Sequence, residues 1–163
     1  MSDGATPQHT HIESNSAYEA ALDTLIGKAT RRLRIFDRTL GRTFDTPQRY
    51  ERLRHFLLAH RTNRLQIVLH DAQNVSRDCP RLARLLRDFS HAISIHETLP
   101  EAHGVYDPFT IADDRHFAHR FHYEDARGLL ALDDPHGAGS FVERFTEIFD
   151  ASFPAVAPTT LGL

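Results

Sequence analysis

The sequence contains one cysteine, Cys79, so no disulfide can close within the chain. It contains one lysine, Lys28, and no asparagine beyond Asn74. No apolar run approaches the roughly 18 residues that span a bilayer, which excludes a membrane helix. The start, MSDGATPQHTHIESNS, has neither a basic end nor an apolar stretch, so no export signal is expected and a cytoplasmic location follows. A formal charge of −3 argues against a protein that coats nucleic acid through bulk charge, because such binding grows with the phosphates neutralised. A local patch stays open. Apart from Lys28 the Lys and Arg positions are all arginine, the residue suited to bidentate contact with phosphate or carboxylate, although a GC-rich genome produces the same bias.

What is present is a soluble globular composition: 163 residues, 40% hydrophobic and 25% charged. That is one domain, long enough to bury about two-thirds of its unfolded surface. Residues 1–15 are polar and without period and read as a disordered lead-in; residues 16–153 read as a single domain, and residues 154–163 as a loose tail. Within the domain, Ala17, Ala21, Leu22, Leu25, Ile26 and Ala29 recur at helical spacing. Leu33 to Leu40 reads as a strand that ends its more apolar row on Asp37 and Thr39. Pro47, with Asp45 or Thr46 as cap, opens a second helix carrying Tyr50, Leu53, Phe56, Leu57 and His60. Leu65–Leu69 is a buried strand, Leu82, Leu85, Leu86 and Phe89 mark a third helix from about Asp78, and Ala92–His96 is another strand. Helix alternating with strand predicts parallel pairing through crossovers.

After His96 the pattern changes. Phe109–Ala112 and His116–Tyr123 read as a hairpin across Asp113, Asp114 and Arg115, with Phe117, His119, Phe121 and Tyr123 on the side expected to be buried. Arg127–Leu132 is a further strand. A final helix over about 138–152 carries Phe141, Phe145, Ile148 and Phe149, with Ser140 read as its cap. The expected fold is α/β, a mixed sheet of about six strands with helices on both faces.

An opening helix into a strand (AYEAALDTLIGKATRRLRIFDRTL), two crossovers, then a hairpin, strand and aromatic helix (GSFVERFTEIFDASF) resemble one half of the phospholipase D superfamily fold. The resemblance spans residues 17–153. It implies a catalytic His-x-Lys-x4-Asp motif before the hairpin, in which the His attacks phosphorus and the Lys, with a later Asn, holds the phosphate oxygens without a metal. With His103 as the motif's His, Val105 and Thr110 stand at the Lys and Asp positions; with Asp113 as its acid, Tyr106 and Pro108 stand at the His and Lys positions. The chain therefore resembles a degenerate bacterial branch of the superfamily, one also found joined to GNAT-type acetyltransferases.

The residues best placed to line a vestigial cleft are His70, His96, His103, Tyr106, Asp113 and Arg120, with Arg127 beside them. They suit an anionic ligand, a nucleotide or nucleic acid among the possibilities. A metal-free hydrolase built on His103, Asp107 and Tyr106 is an alternative. Twelve histidines raise the question of a metal, but none pair at ligand spacing on a predicted helix, so neither metal nor other cofactor is expected. Active relatives pair two halves about a twofold axis. A single half is accordingly expected to act as an interaction or scaffold module, as a homodimer or with a partner protein.

Overall fold

The computed structural model describes residues 6–158; the loose ends expected at 1–5 and 159–163 lie outside the described residues. β1 (Gln8–Ile12) leads into α1 (Asn15–Lys28), β2 (Arg32–Asp37), α2 (Pro47–Ala59), β3 (Arg64–Leu69), α3 (Val75–Asp78), α4 (Pro80–Asp88) and β4 (Ile93–Thr98). After a single 3-10 turn come β5 (Phe109–Ala112), β6 (His116–His122), β7 (Asp125–Leu132), α5 (Pro135–Asp150) and β8 (Ser152–Val156). The strands form one sheet in the order β1-β7-β6-β5-β2-β3-β4-β8. β2, β3 and β4 are parallel and the other neighbours antiparallel. This is the expected mixed α/β sheet with helices on both faces, but with eight strands among the described residues rather than about six.

The two unexpected strands are the edges. Residues 8–12, read as disordered, pair with β7, and residues 154–156, read as tail, complete β8 against β4. Four of the five β1 residues are exposed, so no buried row alternates along the chain to mark the strand. Pro154 sits where a missing N–H is tolerated, on an edge.

Helix starts follow the caps. The Ser14 hydroxyl accepts from Ala17 N at 3.1 Å and Thr46 from Arg49 N at 3.1 Å. Asp45 does not cap α2; its carboxylate accepts from the N–H groups of Arg81 and Leu82, both at 3.0 Å, and caps α4 from a distant loop. α5 starts three residues earlier than expected, capped by Asp134 at Gly137 N (2.9 Å), so Ser140 lies inside the helix.

The alternation of each strand divides the core. Leu33, Ile35, Leu65, Ile67 and Ile95 pack under α1, α2 and α4. Phe36, Val68, Phe109, Ile111 and Phe117 face α5 and its Phe145. The aromatic row of β6 is buried only at its start: Phe141 lies 4.7 Å from the Phe117 ring, whereas Phe121, near the end of the sheet, is 52% exposed.

Two local constraints fix the β5–β6–β7 meander. Asp113 and Asp114 both take positive φ (57° and 56°) in the three-residue loop between the paired Ala112 and His116, where Arg115 N donates to the Ala112 carbonyl at 3.1 Å. The Asp113 carboxylate offsets the strain by accepting from the backbone N–H of Thr30 (2.8 Å), Arg31 (2.8 Å) and Arg32 (3.0 Å). Further along, the β6–β7 register shifts between Arg120 and His122, and Gly128 lies opposite Arg120. A Cβ on Gly128 would stand 2.2 Å from the His119 carbonyl oxygen, so only glycine admits this approach. Gly128→Ala is expected to lower stability by about 2–3 kcal/mol, as overpacking against backbone does. An unchanged urea midpoint would show that the meander relaxes freely.

Candidate functional site

The carboxyl ends of β2, β3 and β4, the start of β5 and the end of β6 meet at one end of the sheet, where ligands gather in open α/β sheets. The hairpin ladder continues beyond β5: Arg120 N donates to Pro108 O at 2.9 Å and Tyr123 N to Tyr106 O at 2.8 Å. Tyr106 and Pro108 are thereby held beside Tyr123 and Arg120.

On the α5 side, His70 and His103 come together, with ring centroids 5.3 Å apart. His70 Nε2 contacts the Val105 carbonyl oxygen at 2.7 Å, and a carbonyl can only accept, so Nε2 carries the proton. Its Nδ1 then accepts from the Thr98 hydroxyl at 2.7 Å. Burial lowers the His70 pKa, so the ring is neutral near pH 7 with both nitrogens engaged. His103 is exposed. Tyr106, also exposed, packs against the rings of His122 (5.6 Å) and Tyr123 (5.9 Å).

The remaining candidates lie elsewhere. His96 pairs with Val68, deeper in the sheet than His70, where it stacks on Phe149 at 4.2 Å and meets Ser152 Oγ at 2.9 Å. Asp113 is at the opposite end of the sheet, engaged with backbone N–H groups as described. Arg127 grips the Asp125 carboxylate on its own strand at 2.8 Å. Asp107 does not serve His103: it holds Arg144 of α5 in a bidentate pair (2.7 and 2.8 Å) and His119 Nε2 at 2.8 Å. Burial works against its charge, yet Arg144 and His119 keep its pKa below the usual carboxylate range.

Arg120 is on the other face of the sheet, because along β6 the residues Ala118 and Arg120 turn toward α1. There it lines a cavity of about 270 Å³ with Tyr18 and Glu19 of α1, Asp37, Arg38 and Thr110 among others. Its Nε and Nη2 donate to the carbonyls of Asp125 (3.0 Å) and Tyr123 (2.9 Å), bracing the hairpin. Asp37 stood out in the sequence only as an acid ending an apolar row; in the fold it is one of the two acids lining this cavity. Burial pushes its pKa up to about 6, against a hydrogen bond from Arg38 N and the charge of Arg120. Burial likewise pushes up the Tyr18 phenol.

The exposed apolar residues are unevenly placed. Of the five large ones among the described residues, Leu99, Tyr106, Phe121 and Phe153 lie at this end of the sheet and only Leu58 does not. Among the described residues no three His, Cys, Asp or Glu side chains converge closely enough to hold a metal, and no helix is long and apolar enough to cross a membrane.

A family model described as a domain of unknown function, DUF7931, matches residues 14–158. The chain belongs to the DUF7931 family. No curated protein matches it. Among solved structures it is similar to Nuc of Salmonella typhimurium, a phospholipase D family member, with TM-score 0.66 and 14% identity over 93% of this chain and 100% of that one. NucT of Helicobacter pylori gives 0.58 and 12%, over 92% and 100%. TrmBL2, an archaeal chromatin protein with a novel mode of DNA binding, gives 0.66 and 12%, over 94% of this chain and 56% of that one. At these identities the likeness is one of fold, and this DUF7931 member has a phospholipase D-like fold.

The raised pKa of Asp37 makes a stability prediction. Between about pH 4 and 6 the folded chain holds this proton more tightly than the unfolded chain, so stability falls as pH rises through that window. Two pKa units are worth roughly 3 kcal/mol, and partial exposure reduces this. Asp37→Asn is expected to stabilise the protein by about 1–2 kcal/mol at pH 7 and to give no gain near pH 4, read from urea midpoints at the two pH values.

Proposed function

We propose that this chain is a non-catalytic, cytoplasmic phospholipase D-like module that works by assembly, its strand-end surface covered by a second copy of itself. The observation that carries the reading is that four of the five exposed large apolar residues lie at one end of the sheet, Tyr106 and Phe121 on the hairpin and Leu99 and Phe153 at β4 and β8, the end where a second half packs in active relatives. One self-complementary patch serves both subunits of a twofold dimer. Loss of the phosphodiesterase apparatus agrees with this. Tyr106 and Pro108 stand where the motif's His and Lys would be when Asp113, the residue that ends β5, is its acid. His70 offers no free nitrogen to act in their place.

Sedimentation at micromolar concentration is expected to give a dimer, and the double variant Tyr106→Glu, Phe121→Glu a folded monomer. A monomeric wild-type chain would overturn the homodimer, and an acetyltransferase is then the partner to test. Hydrolysis of bis-p-nitrophenyl phosphate is expected not to exceed buffer; turnover abolished by His103→Ala would sink the non-catalytic reading.

A second reading rests on Arg38. Its guanidinium lies over the Tyr123 ring at 4.9 Å and forms no ion pair among the described residues. With His103 nearby it would hold a phosphate of a nucleotide or nucleic acid. Fluorescence anisotropy with labelled DNA tests this: binding that weakens in salt and in Arg38→Ala supports it, and binding indifferent to Arg38 does not.

A further inference from the structure

The cavity between α1 and the hairpin holds polar groups that the fold does not satisfy. Its volume of about 270 Å³ equals that of roughly nine waters at about 30 Å³ each, enough for a small organic molecule. The Thr110 hydroxyl is 1% exposed and has no hydrogen-bond partner. The Tyr18 phenol is its polar neighbour in the cavity wall.

Asp37 is equally underused. One of its oxygens accepts from Arg38 N at 2.6 Å, and the carboxylate forms no ion pair among the described residues. Glu19, the other acid in the lining, already serves Arg49 at 3.0 Å. Of the two arginines, Arg120 spends Nε and Nη2 on backbone carbonyls, and Arg38, exposed at the lip, rests on the Tyr123 ring without a carboxylate.

These charges select against simple ions. An inorganic anion entering the cavity meets Asp37, and a plain amine meets two guanidinium groups. A molecule carrying both signs answers both. We propose that this cavity binds a small zwitterion of the free amino acid class, with its ammonium group donating to Asp37 and its carboxylate accepting from Arg38. The apolar surfaces of Leu22, Ile35 and Phe44 in the same lining leave room for a side chain.

The site does not depend on the oligomeric reading, so either can fail alone. The test is calorimetric titration of the full chain with the common amino acids at millimolar concentration. Each ligand that binds is paired with its decarboxylated amine and its deaminated acid. At least one zwitterion is expected to bind saturably, with both half-analogues weaker by about tenfold or more, the loss of one charged hydrogen-bonded contact. Asp37→Asn is expected to abolish binding. Circular dichroism checks that this variant is folded. The proposal is overturned if no zwitterion binds, if a half-analogue binds as tightly, or if folded Asp37→Asn binds unchanged.

Discussion

The guanidinium of Arg49 is the contact on which the helical layer over the sheet depends. The residue is 2% exposed, and an unpaired charge at that depth would cost several kcal/mol. The fold supplies acceptors from three directions. Asp23 takes Nε at 2.9 Å, Glu19 takes Nη1 at 3.0 Å and offers its carbonyl to Nη2 at 3.2 Å, and the Phe44 carbonyl accepts from Nη1 at 2.9 Å. Burial disfavours the charged form, but the two carboxylates outweigh it and raise the pKa further. One side chain of α2 thus ties down α1 and the loop after β2. Those segments carry Tyr18, Glu19, Thr43 and Phe44, which wall the cavity beneath Arg120. The cavity is therefore held open by a network that includes none of the free polar groups inside it.

The two faces of the sheet solve different packing problems. Under α1, α2 and α4 the core is mainly aliphatic, as close-packed crossover helices require. Under α5 it is built from rings: Phe109 meets Phe36 at 5.5 Å and Phe141 at 5.1 Å, and Phe145 meets Phe149 at 6.1 Å. One helix covers that face because each ring buries so much area. The Asp107–Arg144 pair then clamps the segment before β5 onto α5. This fixes Tyr106 and Pro108 at the strand ends, and it consumes a carboxylate that otherwise stands near His103.

The central elements were legible because their side chains are buried on both faces or along one helical stripe. LQIVL is β3, and Thr46–Pro47 opens α2. β1 and β8 were not, since an edge strand with solvent around most of its side chains leaves no period to read. Asp113 was legible as a turn residue and misplaced as a cleft residue, because only the fold shows that its carboxylate reaches the N–H groups of residues 30–32. Arg120 was read into the strand-end cleft, but strand alternation sets it back to back with His119, on the face away from His70, where it braces the hairpin. Arg49 was missed, although an arginine four residues before Leu53 and seven before Phe56 occupies the buried stripe of α2. An ion in an apolar stripe is a sequence signal for a buried, fully bonded charge.

The polar groups of this molecule fall into two sets, and the division bears on where function sits. Asp113, Asp107, His70 and Arg49 are each saturated by partners inside the chain, so their presence is accounted for by the fold. Asp37 and Thr110 are not. The first resists ionisation because it is buried, and it lines the cavity; the second is a hydroxyl sealed from water behind the cavity wall. Asn at the first position and Val at the second would keep the shape and remove the cost. Local choices that oppose stability, with too little compensation in the fold, are the mark of groups that meet something else. By that criterion the cavity under Arg120 is the place where the fold leaves most for a small ligand to satisfy.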